Sequence, residues 1–197
     1  GDDYILDARR SNEDDEGPYG RSSVEIDGDA VLETEVGQGV FNAMNPVRSL
    51  YGTDDTKVDF RPGVPETFTM CSATRYHGTG DTYENEAILT AGTEYRFGHG
   101  DGTRGVLEFD GFESKEHRIP ESVEHSADWL IQCFTNGRST DSYYFIDQTD
   151  WSGDDDSSGR IRGGININKD RSLRPSHFNI HSVYIWDTEL SATDMKI

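Results

Sequence analysis

The sharpest catalytic suggestion in the sequence is Glu108-Phe109-Asp110-Gly111-Phe112-Glu113. Carboxyl groups this close in sequence can do general acid–base or nucleophilic work, provided that they converge in space. On an extended strand Glu108 and Asp110 share a face, because side chains alternate with a period of two. Glu113 falls at an odd spacing and needs a β-bulge at Gly111 to rejoin them.

A second constellation is Asp150-Trp151-Ser152-Gly153-Asp154-Asp155-Asp156, followed by Ser157-Ser158-Gly159. Oxygen-rich loops hold Ca²⁺ with carboxylates and backbone carbonyls, so Asp150, Asp154, Asp155 and Asp156 are candidate ligands. The run lacks the glycine and glutamate of an EF-hand loop, and a solvated acidic loop is the alternative. Arg75 beside Tyr76, Arg96, His99 and Trp151 are candidate ligand-binding residues, since a guanidinium next to an aromatic can hold a sugar hydroxyl or a carboxylate. His99 lies in Gly98-His99-Gly100-Asp101-Gly102 and reads as an exposed loop residue. The 6 histidines show no metal-ligand spacing and no triad motif. No Cys/His metal pattern exists, so a zinc site is not expected. The glycine-rich Gly98 to Gly105 is not followed by a helix and does not read as a phosphate cradle.

The elements that must position these residues are short strands. Thr67 to Tyr76 places Phe68 and Met70 on one face and Cys71 and Ala73 on the other, which suits an inner strand. Ala87 to Thr90, Gly105 to Phe112 and Asp128 to Phe134 follow, the last closed by the turn signal Asn136-Gly137. Tyr4 to Ala8 reads as a first strand, and Ser11 to Gly20 as an acidic loop. Ser23 to Val36 reads as a hairpin turning at Gly28-Asp29, and Gly37 to Gly52 as a loop with a helical turn near Phe41 to Met44. Lys57 to Phe60, Tyr143 to Asp147 and Ile165 to Asn168 are further strands. In the last long strand, Phe178 to Asp187, strict alternation puts Phe178, Ile180, Ser182, Tyr184 and Trp186 on one face. Thr188 to Ile197 reads as a short terminal helix, with Ser191 as N-cap and Asp194 completing a capping box. Short strands between Gly, Asp and Pro clusters, with no helix fit for a crossover, predict antiparallel sheets.

A length of 197 residues fits one domain, 1–197, with a sizeable core. Hydrophobic content is only 32%, yet 9 Phe, 9 Tyr and 3 Trp set the chain apart from disordered sequences. A net charge of −20 excludes nucleic acid and anionic membranes as natural partners. It attracts divalent cations and suits a saline setting, where like-charge repulsion is screened. No apolar run approaches the length of a membrane helix, about 20 residues. No signal peptide or N-glycosylation sequon is visible, and a start at Gly1-Asp2-Asp3-Tyr4 fits either a mature form or a fragment. Cys71 and Cys133 lie mid-strand in apolar company, so burial is expected. Neighbouring central strands would let them form a disulfide, and a pair of buried thiols is the alternative.

The strings Thr67-Phe68-Thr69-Met70-Cys71-Ser72-Ala73-Thr74-Arg75-Tyr76, Ala87 to Ser114, Asp128 to Gly137 and Phe178 to Ile197 resemble the laminin-G-like branch of the concanavalin A-like sandwiches. The resemblance runs from about Tyr4 to the C-terminus. It implies an all-β jelly roll of two antiparallel sheets, and a rim calcium of the kind such modules often carry. Where relatives carry a tryptophan-rich segment, this chain has Glu94 to Gly100. Laminarinase-type glycosidases share that sandwich and carry Glu-x-Asp-x-x-Glu on one strand. By that resemblance Glu108 would be nucleophile and Glu113 acid/base in a retaining mechanism, with Asp110 tuning the pair. The expected role is a non-catalytic module, extracellular or at the cell surface, that binds a glycan or an extracellular protein. It would serve as a lectin or as a self-assembling structural unit. A β-glucan-cleaving hydrolase is the alternative.

Overall fold

The computed structural model describes residues 23–37, 43–61, 64–65, 67–77, 88–91, 96–100, 103–109, 112–113, 128–136, 144–147, 149–150, 164–168 and 175–195. In chain order the strands are β1 (Ser23–Asp27), β2 (Ala30–Glu35), β3 (Val47–Gly52), β4 (Lys57–Arg61), β5 (Phe68–Tyr76), β6 (Leu89–Thr90) and β7 (Arg96–Gly100). They continue with β8 (Thr103–Phe109), β9 (Phe112–Glu113), β10 (Leu130–Asn136), β11 (Tyr144–Ile146), β12 (Thr149–Asp150), β13 (Ile165–Ile167) and β14 (Phe178–Trp186). Two 7-stranded sheets result, ordered β1-β4-β13-β6-β7-β8-β9 and β12-β11-β10-β5-β14-β3-β2. Among the described residues every strand pairing is antiparallel. The all-β, two-sheet architecture expected from the sequence is therefore the observed one.

Strand β5 is an inner strand, flanked by β10 and β14. Its Phe68, Met70 and Tyr76 point between the sheets with Leu130 and Phe134 of β10 and Phe178, Ile180 and Val183 of β14. Val58, Leu89, Phe97, Leu107, Ile165 and Ile167 meet them from the first sheet. Phe97 stacks on Phe134 with centroids 4.8 Å apart, joining the two layers. Each such side chain, fully buried, contributes about 1.5–3 kcal/mol. Gly52 lies beneath this core because a Cβ there would come within 2.4 Å of the Phe178 ring.

Several local expectations are corrected. β1 and β2 are not a hairpin: β1 pairs with β4 in the first sheet and β2 with β3 in the second. Gly28, at φ +95°, makes the corner between sheets, and a Cβ there would lie 2.7 Å from the Asp55 carbonyl. β3 occupies Val47–Gly52, where a loop was expected, since its two faces carry no apolar alternation to announce it. The segment around Gly98 is strand β7 rather than a loop, and the bulge between Gly98 and His99 accommodates its glycines. In β14 the register shifts between Ile180 and Ser182. Phe178 and Ile180 therefore share the inner face with Val183 and Ile185, while Ser182, Tyr184 and Trp186 join Asn179 on the other. The C-terminal helix is, among the described residues, a single turn: Met195 N–H donates to Ser191 O at 3.1 Å. Its cap forms as expected, with Asp194 N–H on Ser191 Oγ at 3.3 Å. The expected strand at Tyr4 to Ala8 and loop at Ser11 to Gly20 lie outside the described residues.

Candidate functional site

The second sheet has an outer face, away from the shared core. It carries Cys71, Ala73 and Arg75 of β5, Ile131 and Cys133 of β10, and Asn179, Ser182, Tyr184 and Trp186 of β14. Ser49 and Tyr51 of β3 and Val31, Glu33 and Glu35 of β2 complete it.

One part of this face is sealed. Cys71 and Cys133 are direct register partners and form a disulfide. The open question of disulfide or thiols is thus settled as the disulfide. Phe145 and Met195 bury the bridge, with Trp186, Leu190 and Ala192 packed around them. Leu190 N–H is held by Thr69 Oγ1 at 2.8 Å, and Thr69 in turn donates to Thr188 O at 2.8 Å, so the terminal segment is tied down by backbone as well as packing.

Further along β5 the same face is polar. Arg75 is 2% exposed, pairs with Glu35, and lies 5.6 Å over the Trp129 ring. The fully buried Asn179 amide donates to Glu33 and to Ser49 Oγ at 3.0 Å. That amide orientation leaves Asn179 Oδ1 to accept from His77 Nδ1 at 2.8 Å. His77 Nδ1 is also 3.1 Å from Glu33 Oε1 and 3.9 Å from Glu35 Oε1. The Tyr51 ring lies against the His77 ring at 4.1 Å and so fixes its plane. Burial pushes the Tyr51 phenol above 10.0, with the charges of Glu33 and Asp54 adding to the effect. At the rim, His177 Nε2 is 3.5 Å from Asp54 Oδ1.

These contacts also define the shape of the face. β14 and β3 lie between β5 and β2. A flat sheet would hold β2 about 14 Å from β5. Side chains of Glu and His cannot span that gap, so the sheet curls and is concave toward this face. The face presents carboxylate, imidazole and amide groups near β2 and aromatics at the far end of β14. Tyr184 is 37% exposed and its ring lies 6.0 Å from that of Trp186. Exposed Ile131 is on β10, whose partner Ala73 also pairs with Ser182 of β14.

Of the residues expected from the sequence to bind ligand, Tyr76 and His99 meet in the core and Arg75 and Arg96 lie on different sheets. Arg75 is on the concave face, but Tyr76 points the opposite way into the core, fully buried. His99, expected in an exposed loop, is 0% exposed between the sheets, with its ring 4.8 Å from Tyr76 and Nδ1 3.4 Å from Thr74 Oγ1. Arg96 belongs to the first sheet, opposite Thr90 and Glu108. Trp151, Asp154, Asp155 and Asp156 lie outside the described residues, and Asp150 ends the edge strand β12. The carboxylate motif is not on one strand. Glu108 of β8 and Glu113 of β9 are cross-strand register partners, with Phe109 opposite Phe112. Asp110 and Gly111, where a bulge was expected, lie outside the described residues.

The Glu33, Glu35, His77 and Asn179 group was not singled out from the sequence. Its members come from β2, β14 and the end of β5, so no local spacing reveals them. The readable signal was weaker: acidic residues two apart on one strand face, and Arg75 and His77 two apart on another.

No protein-family profile and no curated protein sequence matches the chain. Solved structures do. Domain 4 of AbnA, a GH43 extracellular arabinanase from Geobacillus stearothermophilus, solved with arabinotriose, superposes with a TM-score of 0.59 at 10% identity, covering 92% of this chain and 90% of that one. The botulinum neurotoxin serotype G binding domain gives 0.56 at 15% identity, covering 92% of this chain and 46% of that one. The binding domain of botulinum neurotoxin DC, solved with rat synaptotagmin II, gives 0.53 at 14% identity, covering 91% and 46%. The chain thus spans less than half the length of these toxin domains. At such identities the likeness is one of fold: a β-sandwich of the kind found in carbohydrate- and receptor-binding domains.

Proposed function

We propose that the chain is a non-catalytic extracellular module that binds carbohydrate on the concave face of its second sheet. The carrying observation is Tyr184 exposed beside Trp186, on the same concave face as Glu33, Glu35 and His77. A sugar ring presents an apolar C–H face and a rim of hydroxyls. Aromatic rings suit the first, and carboxylates and imidazoles suit the second. The arabinotriose complex of the AbnA domain supports this reading, because nearly the whole of that domain aligns with nearly the whole of this chain. The Cys71–Cys133 bridge supports an oxidising, extracellular compartment. The acidic surface supports a saline one. The laminin-G-like assignment belongs to the same proposal.

The absence of catalysis is also part of the proposal. Glu108 and Glu113 are register partners on the adjacent strands β8 and β9, which departs from the one-strand glycosidase pattern but leaves them neighbours, so an assay decides the matter. A reducing-end assay on β-glucans checks it, and the expected result is no product. The test of binding is a glycan array, run with calcium and again with a chelator. Retention of one glycan class supports the module as a lectin. Loss of that retention with chelator would support a bound cation, calcium among the candidates. No retention in either condition overturns the carbohydrate reading in favour of a protein-binding or self-assembling module.

A further inference from the structure

We infer that Glu33, Glu35, His77 and Asn179 form a binding site for one divalent first-row metal ion of the zinc type. The inference shares Glu33, Glu35 and His77 with the glycan reading but rests on their mutual spacing alone. The ligand atoms of Glu33, Glu35 and His77 all lie within 4.8 Å of one another, and each residue is half-buried. On a tetrahedral zinc with bonds of about 2.0–2.2 Å, ligand atoms sit about 3.3–3.6 Å apart. The measured 3.1 Å from His77 Nδ1 to Glu33 Oε1 and 3.9 Å to Glu35 Oε1 bracket that spacing. Asn179 Oδ1 is hydrogen-bonded to the same Nδ1 at 2.8 Å, closer than two ligands of one ion would sit, and is freed to serve as a fourth donor once a metal takes that nitrogen. One imidazole with three oxygens suits zinc or manganese better than calcium, which prefers an all-oxygen shell.

The surrounding groups act as an orienting shell. Arg75 holds Glu35 through Oε2, while Oε1 is the atom directed at His77. The Tyr51 ring fixes the plane of the imidazole at 4.1 Å. Such outer partners are what preset a metal site, because they remove the rotational freedom of the ligands. Charge argues the same way. With neutral His77, the two glutamates against Arg75 leave the group at net −1, in a chain of net charge −20. A divalent cation reverses that local excess. It binds the Nδ1 lone pair of the Nε2–H tautomer, so the single proton of neutral His77 moves from Nδ1 to Nε2 and none is released. The bonds formed are dative, so no oxidant or reductant is needed.

The test is equilibrium dialysis of the whole chain against Zn²⁺, with millimolar Mg²⁺ present to saturate diffuse acidic binding. One bound equivalent is expected. His77→Ala and Glu33→Gln are each expected to weaken it at least tenfold, whereas His181→Ala, at an exposed position of β14, leaves it unchanged. Far-UV circular dichroism of each variant confirms the fold. Glu33→Gln is nearly isosteric and keeps the test decisive if His77→Ala fails to fold. Absence of a saturable equivalent, or binding by folded Glu33→Gln equal to that of the unaltered chain, overturns the inference. Because the readout is bound metal, a failure here leaves the glycan array unaffected, and a silent array leaves this result standing.

Discussion

Strand β5 contributes to two closures of the same sheet face, and they use opposite chemistry. At Cys71 the face is sealed by a covalent bond to Cys133 under Phe145 and Met195. At Arg75 and His77 it is closed by ion pairs and an amide hinge, through Glu35, Glu33 and Asn179. The first closure is apolar and has no group that titrates near neutrality. The second depends on charge, and its glutamates and imidazole remain partly in contact with solvent. A sheet arranged this way has one rigid end that fixes strand order and one end that can exchange its internal partners for a ligand. The difference assigns stability to the disulfide end and responsiveness to the polar end.

The largest effect is expected from removing the covalent end. Cys71→Ser with Cys133→Ser opens a loop of sequence separation 62 and deletes a buried bridge. Loss of about 2–5 kcal/mol is predicted, read as a lower urea midpoint. A change below about 1 kcal/mol would show that packing under Met195, not the bond, holds that end. A smaller effect is expected at the polar end. Arg75→Met leaves Glu35 without its cation and ends the stacking over Trp129. Because Glu35 is still 32% exposed, solvent screens part of the loss, and a cost of about 1–2 kcal/mol is predicted. Adding Glu35→Gln should recover part of it in a double-mutant cycle, and strict additivity would mean that the pair is not coupled.

The smallest effect is a pH dependence confined to the polar end. The folded pKa of Tyr51 is raised above 10.0 by burial first, then by Glu33 and Asp54. The folded state therefore holds the phenolic proton more tightly than the unfolded chain does. Its contribution is constant below pH 10 and is lost as pH rises from there through the folded pKa. Urea midpoints of the unaltered chain and Tyr51→Phe should run parallel at pH 7 to 9 and diverge above about pH 10, with the unaltered chain falling faster. Parallel curves throughout would place the Tyr51 phenol in water.

The fold was legible where local pattern and tertiary role agree. Phe68 to Tyr76 alternates between two partly apolar faces, and it is the inner strand that such a pattern requires. The cysteines were legible as buried, but not as bonded, because their pairing depends on a register that only the assembled sheet supplies. Alternation failed in β14, where one bulge at His181 moves every later side chain to the other face. That single residue decides that Tyr184 and Trp186 line the concave surface instead of the core. β3 was hidden because Arg48, Ser49 and Gly52 break any apolar rhythm, and its strand state comes from pairing with β2 and β14. The polar cluster was the least legible feature, since Glu33, His77 and Asn179 are far apart in sequence and meet only because the sheet curls. The motif that looked most catalytic in the sequence has its two ends on different strands, Glu108 on β8 and Glu113 on β9. A short acidic string does not say whether it will run straight or turn.

The most direct test of the account is titration of the array-selected oligosaccharide into the unaltered chain and into Tyr184→Ala, followed by calorimetry. Tyr184 is partly exposed, so its removal should change stability by no more than about 0.5 kcal/mol. The account predicts saturable binding at one site and a loss of at least tenfold in affinity on Tyr184→Ala, with the fold intact. Equal affinity in the two proteins would contradict the placement of the ligand on the concave face.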